Sequence, residues 1–448
     1  MHHPTAAFWP VMLLALTTGA AADIPPVPEY SGNFHEGRIH GSGILRLPGG
    51  YVYEGEWQHG TQTGTGTATF PDGTVYIGEI SSGILTGTGT IRFADGKVYE
   101  GEWENNLFDG EGTITYPDGS YYSGTFRGGK RHGTGSLSLA DGYRYEGNWL
   151  DGKQDGTGTA ELPDGSVYIG GFSEGFAHGS GLMTHADGSV LEGTWQRNSF
   201  TGEGRAWLAD GTFCQGSYVD GLLNGAAECL TAQGDRLTGE WEDGALNGQG
   251  TGDYTDGSRY SGGFAGGVFA GNGTWFGSDG SHYEGEFAGG EFAGTGRLSA
   301  ADGTVYNGFW VAGQLNGSGS AILASGENYA GQFRRSLFHG KGTLTHPDGY
   351  VYRGSWSEGL QHGLGKENFA DGRQYLGSFR AGQRNGHGVI NLPDGYRYTG
   401  EWVNGVAEGF GTAEYPSGDV YVGQFRMGRP HGKGVITFAD GEIVEIAE

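Results

Sequence analysis

The chain has 448 residues, 95 of them glycine and only 35% hydrophobic, and its 52 acidic against 26 basic side chains leave a net charge of −26. So little packing material excludes conventional helical layers. The acidic balance excludes nucleic-acid binding driven by Lys and Arg on phosphates and disfavours purely electrostatic docking on anionic lipid. A disordered linker is excluded by 24 tyrosines, 23 phenylalanines and 11 tryptophans, and collagen by the lack of a three-residue glycine period.

The first 22 residues contain no Lys, Arg, Asp or Glu. An apolar run from Ala6 to Leu16 leads to Ala20, Ala21 and Ala22 before Asp23, the pattern of a secretory signal cut after Ala22. His2 and His3 stand where such a signal carries lysine or arginine, and Pro10 interrupts the run. A membrane-spanning helix needs about 20 apolar residues, roughly twice what this run offers. Residues 23–29 read as a short linker.

From Tyr30 to Ile443 the chain repeats every 23 residues, eighteen times, without insertion or deletion. Such a period is the signature of a solenoid or linear array. With the first residue of each repeat as position 0, glycine fills positions 2, 11 and 20 in all eighteen repeats, position 13 in seventeen and position 7 in fifteen. The repeat at Tyr53 shows the full pattern with Gly55, Trp57, Gly60, Gly64, Gly66 and Phe70, followed by Asp72 and Gly73. Apolar or glycine residues at positions 0, 2 and 4 alternate with polar ones such as Glu54 and Glu56, which predicts a strand with one face toward a core. Positions 13, 15 and 17 (Gly66, Ala68 and Phe70) predict a second strand, and Asp-Gly at positions 19 and 20 predicts a tight turn between repeats. Parity places even positions of the first strand and odd positions of the second on one face. A register of 0 against 17, 2 against 15 and 4 against 13 satisfies it and sets Trp57 over Gly66. The expectation is an all-β fold, a linear array of antiparallel β-hairpins forming one elongated, twisted single-layer sheet, with no helix before the tail at residues 444–448.

The chemistry-bearing strings are weak. Gly64 and Gly66 form a Gly-x-Gly, but a dinucleotide loop needs a helix after it. His35, Glu36 and His40 miss the helical zinc-protease spacing by one residue. Six histidines share position 10 (His40, His132, His178, His339, His362 and His431) in a column where Asp, Asn and Thr suit hydrogen bonding to nearby backbone. Equivalent positions in successive repeats stand roughly 10 Å apart, too far to share a metal. Asp at position 19 reads as turn chemistry for the same reason, and no calcium set is read. No catalytic residue, cofactor site or metal site is therefore expected. Cys214 and Cys229 are the two cysteines, diagonal neighbours in the expected register at about 7 to 8 Å, the outer limit for a disulfide. Cys214 replaces the tyrosine of its repeat and Ala227 its position-13 glycine, so a local bend or weak point is expected there.

The string Tyr-x-Gly-x-Trp-x-x-Gly-x-x-x-Gly-x-Gly, from Tyr53 to Gly66, Tyr145 to Gly158 with Trp149, and Tyr398 to Gly411 with Trp402, resembles the MORN repeat, the membrane occupation and recognition nexus motif. The resemblance implies an elongated β-hairpin scaffold that dimerises in some members and organises membrane-linked assemblies in others, with lipid binding claimed for some. The matched residues are packing residues of the fold and carry over structure, not a site. The expected function is a non-catalytic protein-binding scaffold, exported to the periplasm, cell envelope or outside, with self-association among its options. The alternative is peripheral membrane association through exposed aromatics of the repeats.

Overall fold

The computed structural model describes residues 27–447; the export signal and its cleavage point after Ala22 lie outside the described residues. Those residues hold 37 strands, from β1 (Glu29–His35) to β37 (Ile443–Ile446), and no helix. The chain divides into two compact halves, one ending at Leu222 and the other starting at Leu223. The division falls inside the repeat that begins at Cys214. In the N-terminal half each strand pairs antiparallel with the next, from β1 to β17 (Phe213–Val219). The C-terminal half does the same from β18 (Leu222–Leu230) to β37.

One repeat explains the rest. β3 (Val52–Gln58) and β4 (Thr61–Thr69) are joined by a two-residue turn. His59 and Gly60 both take positive φ there, 49° and 90°, the turn whose twist matches that of the flanking strands. The second connection is longer. Phe70 N–H donates to the Thr74 carbonyl at 2.8 Å, Gly73 N–H to the Phe70 carbonyl at 3.0 Å, and Thr74 N–H to the Asp72 carboxylate at 2.9 Å. Phe70 therefore opens a loop and does not end a strand, and its ring packs edge-on against Tyr51 at 5.6 Å.

The register differs from the expected one by two residues. Tyr53 faces Ala68 and Gly55 faces Gly66; beyond a bulge, Trp57 faces Gln62. Trp57 does oppose a glycine, but it is Gly41 on the preceding hairpin, across β2 (Arg38–Arg46). The cause is Phe70: alternation counts it as the strand residue opposite Tyr53, whereas the strand ends at Thr69 and Tyr53 faces Ala68. A bulge around Gly64, whose φ is +65°, then moves the partner of Trp57 further, to Gln62.

Glycine is required at the Gly55–Gly66 pair because the Tyr53 ring lies flat across both. A Cβ at Gly66 meets the Tyr53 hydroxyl oxygen at 2.4 Å, and so does one at Gly55. The hydroxyl ends over the bulge, where it donates to the Glu56 carbonyl at 3.3 Å. Tyr76, Tyr99 and Tyr145 repeat this bond to Glu79, Glu102 and Asn148 at 2.8, 2.8 and 2.9 Å. The ring at position 4 then stands edge-on between two tyrosines: Trp57 lies 5.3 Å from Tyr53 and 5.8 Å from Tyr30, the T-shaped geometry that aromatic quadrupoles favour. Tryptophan adds a bond that phenylalanine lacks. Trp57, Trp149 and Trp402 donate Nε1–H to the carbonyls of Gly43, Gly135 and Gly388 on the preceding hairpin at 3.1 to 3.2 Å.

A position-9 column completes the core. Phe108 and Phe338 stack flat on Tyr99 and Tyr329 at 3.7 and 3.8 Å. Arg131 lies over Tyr122 and Trp149, 5.0 Å from each ring. Arg384 covers Tyr375 at 4.6 Å and Trp402 at 5.3 Å and pairs with Glu367 at 2.6 Å, whose other oxygen accepts from the Tyr350 hydroxyl at 2.7 Å. At the C-terminal end, residues placed in the tail form β37 instead, pairing Val444 with Ile436 and Ile446 with Gly434 of β36 (Arg429–Thr437). It is the opening strand of another repeat, with Val444 and Ile446 in place of Tyr and Gly.

Three outcomes test this packing. Gly66→Ala is expected to destabilise its hairpin by about 1–3 kcal/mol through overpacking, seen as faster hydrogen exchange in β3 and β4 with distant repeats unchanged. Burial pushes the Tyr53, Tyr168 and Tyr398 hydroxyls up to about 12, above their unfolded value near 10. The stabilisation is then complete below pH ~10 and lost as pH rises through ~12; absorbance at 295 nm should show these phenols ionising together with loss of the circular dichroism signal. Glu367→Ala strands the Arg384 guanidinium, whose side chain is 17% exposed, and should cost roughly 3–5 kcal/mol. Glu367→Leu with Arg384→Phe, the types found at Leu344 and Phe338, should recover most of that loss in a thermal melt.

Candidate interaction surface

Burial separates the two faces of the sheet. The residues singled out by the repeat pattern lie on the core face: Tyr53, Tyr145 and Tyr398 are 0%, 1% and 1% exposed, and Trp57, Trp149 and Trp402 are buried. Apart from Phe34 in β1, which is 64% exposed, the repeat aromatics at positions 0 and 4 therefore offer little to a lipid surface. Gly55, Gly64 and Gly66 are spent on the tyrosine slot and the bulge.

The turns are also committed. At position 19, Asp118 and Asp164 accept from the backbone N–H two residues on at 2.9 Å. That N–H and the neighbouring serine hydroxyl hold both carboxyls below their ordinary range. At position 10, Asp109 and Asn247 accept from Gly128 and Gly266 N–H at the next tight turn, each at 2.8 Å. This column lies within the second strand and links each hairpin to its successor. Its histidines behave differently: Nδ1 of His40, His132 and His339 is buried without a partner among the described residues. The His40 ring lies 5.3 Å from His35 and 5.4 Å from His59. No group of three or more His, Cys, Asp or Glu is arranged to hold a metal ion among the described residues. Neither Cys214 nor Cys229 is a free thiol; both are disulfide-bonded.

What remains free to vary is the opposite face, built from positions 1 and 3 of the first strand and 12 and 14 of the second. In the N-terminal half its position-1 row alternates acid and aliphatic: Glu54, Ile77, Glu100, and again Glu146, Ile169, Glu192. Ile77 is 58% exposed and Ile169 52%. Glu79 on this face accepts from Thr88 N–H and hydroxyl at 2.9 and 2.8 Å, which hold its carboxyl below the usual range.

One stretch of the C-terminal half reverses the sign. Between Glu286 and Glu401 no Asp or Glu occupies position 1, 3, 12 or 14 of any repeat. The stretch carries Lys341, Arg353 and Lys366 with exposed Leu364 and Leu376, and these line a groove of about 480 Å³. Alternation and glycine columns do not reveal the groove; the charge read down columns 1, 12 and 14 does.

Comparison with known proteins agrees with this architecture. The MORN repeat pattern matches sixteen stretches: residues 30–50, 53–75, 76–98, 99–121, 122–142, 145–167, 168–190, 192–213, 238–259, 283–305, 306–327, 329–349, 352–372, 375–395, 398–420 and 421–443. The repeats beginning at Cys214 and Tyr260 are not matched, yet the latter pairs its strands in the common register, Gly262 on Gly273. No curated protein is similar at a significant level. Among solved structures, the TCP domain of Drosophila melanogaster SAS-4 (dCPAP), in complex with a proline-rich motif of Ana2 (dSTIL), is 18% identical with a TM-score of 0.22, over 35% of this chain and 84% of that one. The TCP10 domain of Danio rerio CPAP, with a peptide of Danio rerio STIL, is 16% identical with a TM-score of 0.14, over 62% and 97%. Virginiamycin B lyase from Staphylococcus aureus is 9% identical with a TM-score of 0.11, over 68% and 89%. Likeness at this level carries no functional argument. The repeat pattern, matched over most of the length and seated on the observed hairpins, is decisive: the chain belongs to the MORN repeat family.

Proposed function

We propose that the chain is an exported, non-catalytic scaffold whose polar sheet face receives protein partners in the cell envelope. The observation that carries this reading is the division of labour between faces. The family's recurring side chains are consumed by the core, so what distinguishes one repeat from the next is displayed on the polar face, and there charge is sorted by region. A surface of mixed charge and isolated aliphatic side chains matches the make-up of a protein-binding face.

The address rests on the N-terminal segment, uncharged through Ala22 with an apolar run from Ala6 to Leu16. The disulfide form of Cys214 and Cys229 fits an oxidising compartment. Burial of the repeat tyrosines and tryptophans weighs against the membrane reading.

The test combines address and binding. Fractionation of the source cells is expected to recover the chain outside the cytoplasm with Asp23 as its first residue, and non-reducing digestion to return a peptide linking Cys214 and Cys229. Envelope extract passed over the immobilised chain should yield a defined protein partner. Glu54→Gln with Glu100→Gln, or Arg353→Glu, should reduce its retention while circular dichroism stays unchanged. An unprocessed N-terminus in the cytoplasm refutes the address, and retention indifferent to every polar-face change refutes the surface.

A further inference from the structure

The groove in the C-terminal half stands apart from the rest of the polar face. It crosses β27 (Asn328–Arg334), β28 (Leu337–Thr345), β29 (Val351–Ser357), β30 (Leu360–Asn368) and β31 (Gln374–Arg380). Arg353 and Lys366 are direct cross-strand partners, an arrangement that destabilises a sheet through like-charge repulsion. In two other repeats the same two positions are complementary: Glu192 faces Arg205 and Glu284 faces Arg297. Lys341 sits on the neighbouring strand and donates to Ser355 Oγ at 2.8 Å. None of the three cations meets a carboxylate at ion-pair distance among the described residues. Leu364 and Leu376, 66% and 58% exposed, flank them. In a chain of net charge −26, three unpaired cations beside two bare leucines are an unsatisfied surface.

We propose that this groove binds an extended segment of a partner polypeptide that carries carboxylates alternating with apolar side chains. The proposal rests on the scaffold reading and names the class of partner. Charge complementarity sets the sign of the ligand. The leucines set the rest, because a free anion leaves them in water whereas an apolar side chain covers them. Length agrees: four strand-to-strand steps of about 4.8 Å give a trough of roughly 19 Å, the reach of about six extended residues. Its floor is backbone at Gly354 and its neighbouring glycines.

The test uses the full chain and a fluorescent synthetic peptide of alternating Glu and Leu, about nine residues or roughly 30 Å when extended, followed by anisotropy. Binding is expected, weakening as salt is raised from about 0.05 to 0.3 M. Arg353→Glu recreates the Glu–basic pair found at Glu192–Arg205 and Glu284–Arg297, so the fold should hold, and affinity should fall about tenfold or more. Leu364→Ser with Leu376→Ser should weaken it as well, and an alternating Glu and Ser peptide should bind less tightly. Absence of binding, equal affinity in Arg353→Glu, or equal affinity for the Glu and Ser peptide overturns the proposal. So do three reassignments of the occupant: full displacement by millimolar inorganic phosphate, co-sedimentation with phosphatidylglycerol vesicles that Arg353→Glu abolishes, or self-association that Arg353→Glu abolishes. If the wild-type chain still retains its envelope partner while the peptide fails, only the groove assignment falls; if neither is bound, the scaffold reading falls too.

Discussion

A tyrosine ring lying flat over a pair of facing glycines is the contact on which this architecture depends. It occupies the space that two side chains would otherwise fill, so glycine is demanded twice per hairpin, on both strands. Its hydroxyl reaches one residue past the pair and takes the carbonyl that the bulge leaves free, as Tyr76 does with Glu79. The bulge in turn brings a left-handed glycine such as Gly64 into the strand and moves the position-4 ring onto the preceding hairpin. Ring, glycine pair, bulge and indole seat therefore form one device. Each copy contacts only its neighbours, which is how a linear array holds together without a central core.

Where the device is altered, its neighbours show what the slot requires. Leu191 stands in a tyrosine position, and the Phe200 ring from the adjacent strand fills the space, so that a Cβ at Gly204 meets Phe200 at 2.3 Å. Asn106 and Asn198 replace the turn glycine at positive φ, and each accepts a backbone N–H from the preceding repeat at 2.7 to 2.8 Å. Glu367 introduces a carboxylate, 7% exposed, where most other repeats place Ala, Ile or Leu. It is held by Arg384 and Tyr350, because a buried charge without partners is far more costly than the pair. These substitutions keep the slot filled and the polar groups satisfied.

The same packing divides the molecule's surface by role. One face is uniform because ring fits ring from repeat to repeat. The other has no such requirement, and its side chains differ along the chain: acid with isoleucine in the N-terminal half, lysine and arginine with leucine across β28 to β31.

Period, parity and turn chemistry were legible in the residues themselves. Glycine, tyrosine and Asp-Gly recur every 23 residues, and each is selected by local sterics that a neighbour in sequence determines. Register was not legible, because alternation can neither exclude Phe70 from the strand, which sets Tyr53 against Ala68, nor see the bulge, which sets Trp57 against Gln62. Nor could the string Val444-Glu445-Ile446 announce a strand without the glycine edge of β36 to pair with. The exposure of the aromatics and the basic groove were settled by tertiary structure alone. Tyr99 is covered by Trp103 and Phe108 of its own hairpin and Phe126 of the next, and Lys341, Arg353 and Lys366, twelve or thirteen residues apart in the chain, become neighbours only when antiparallel pairing lays their strands about 4.8 Å apart.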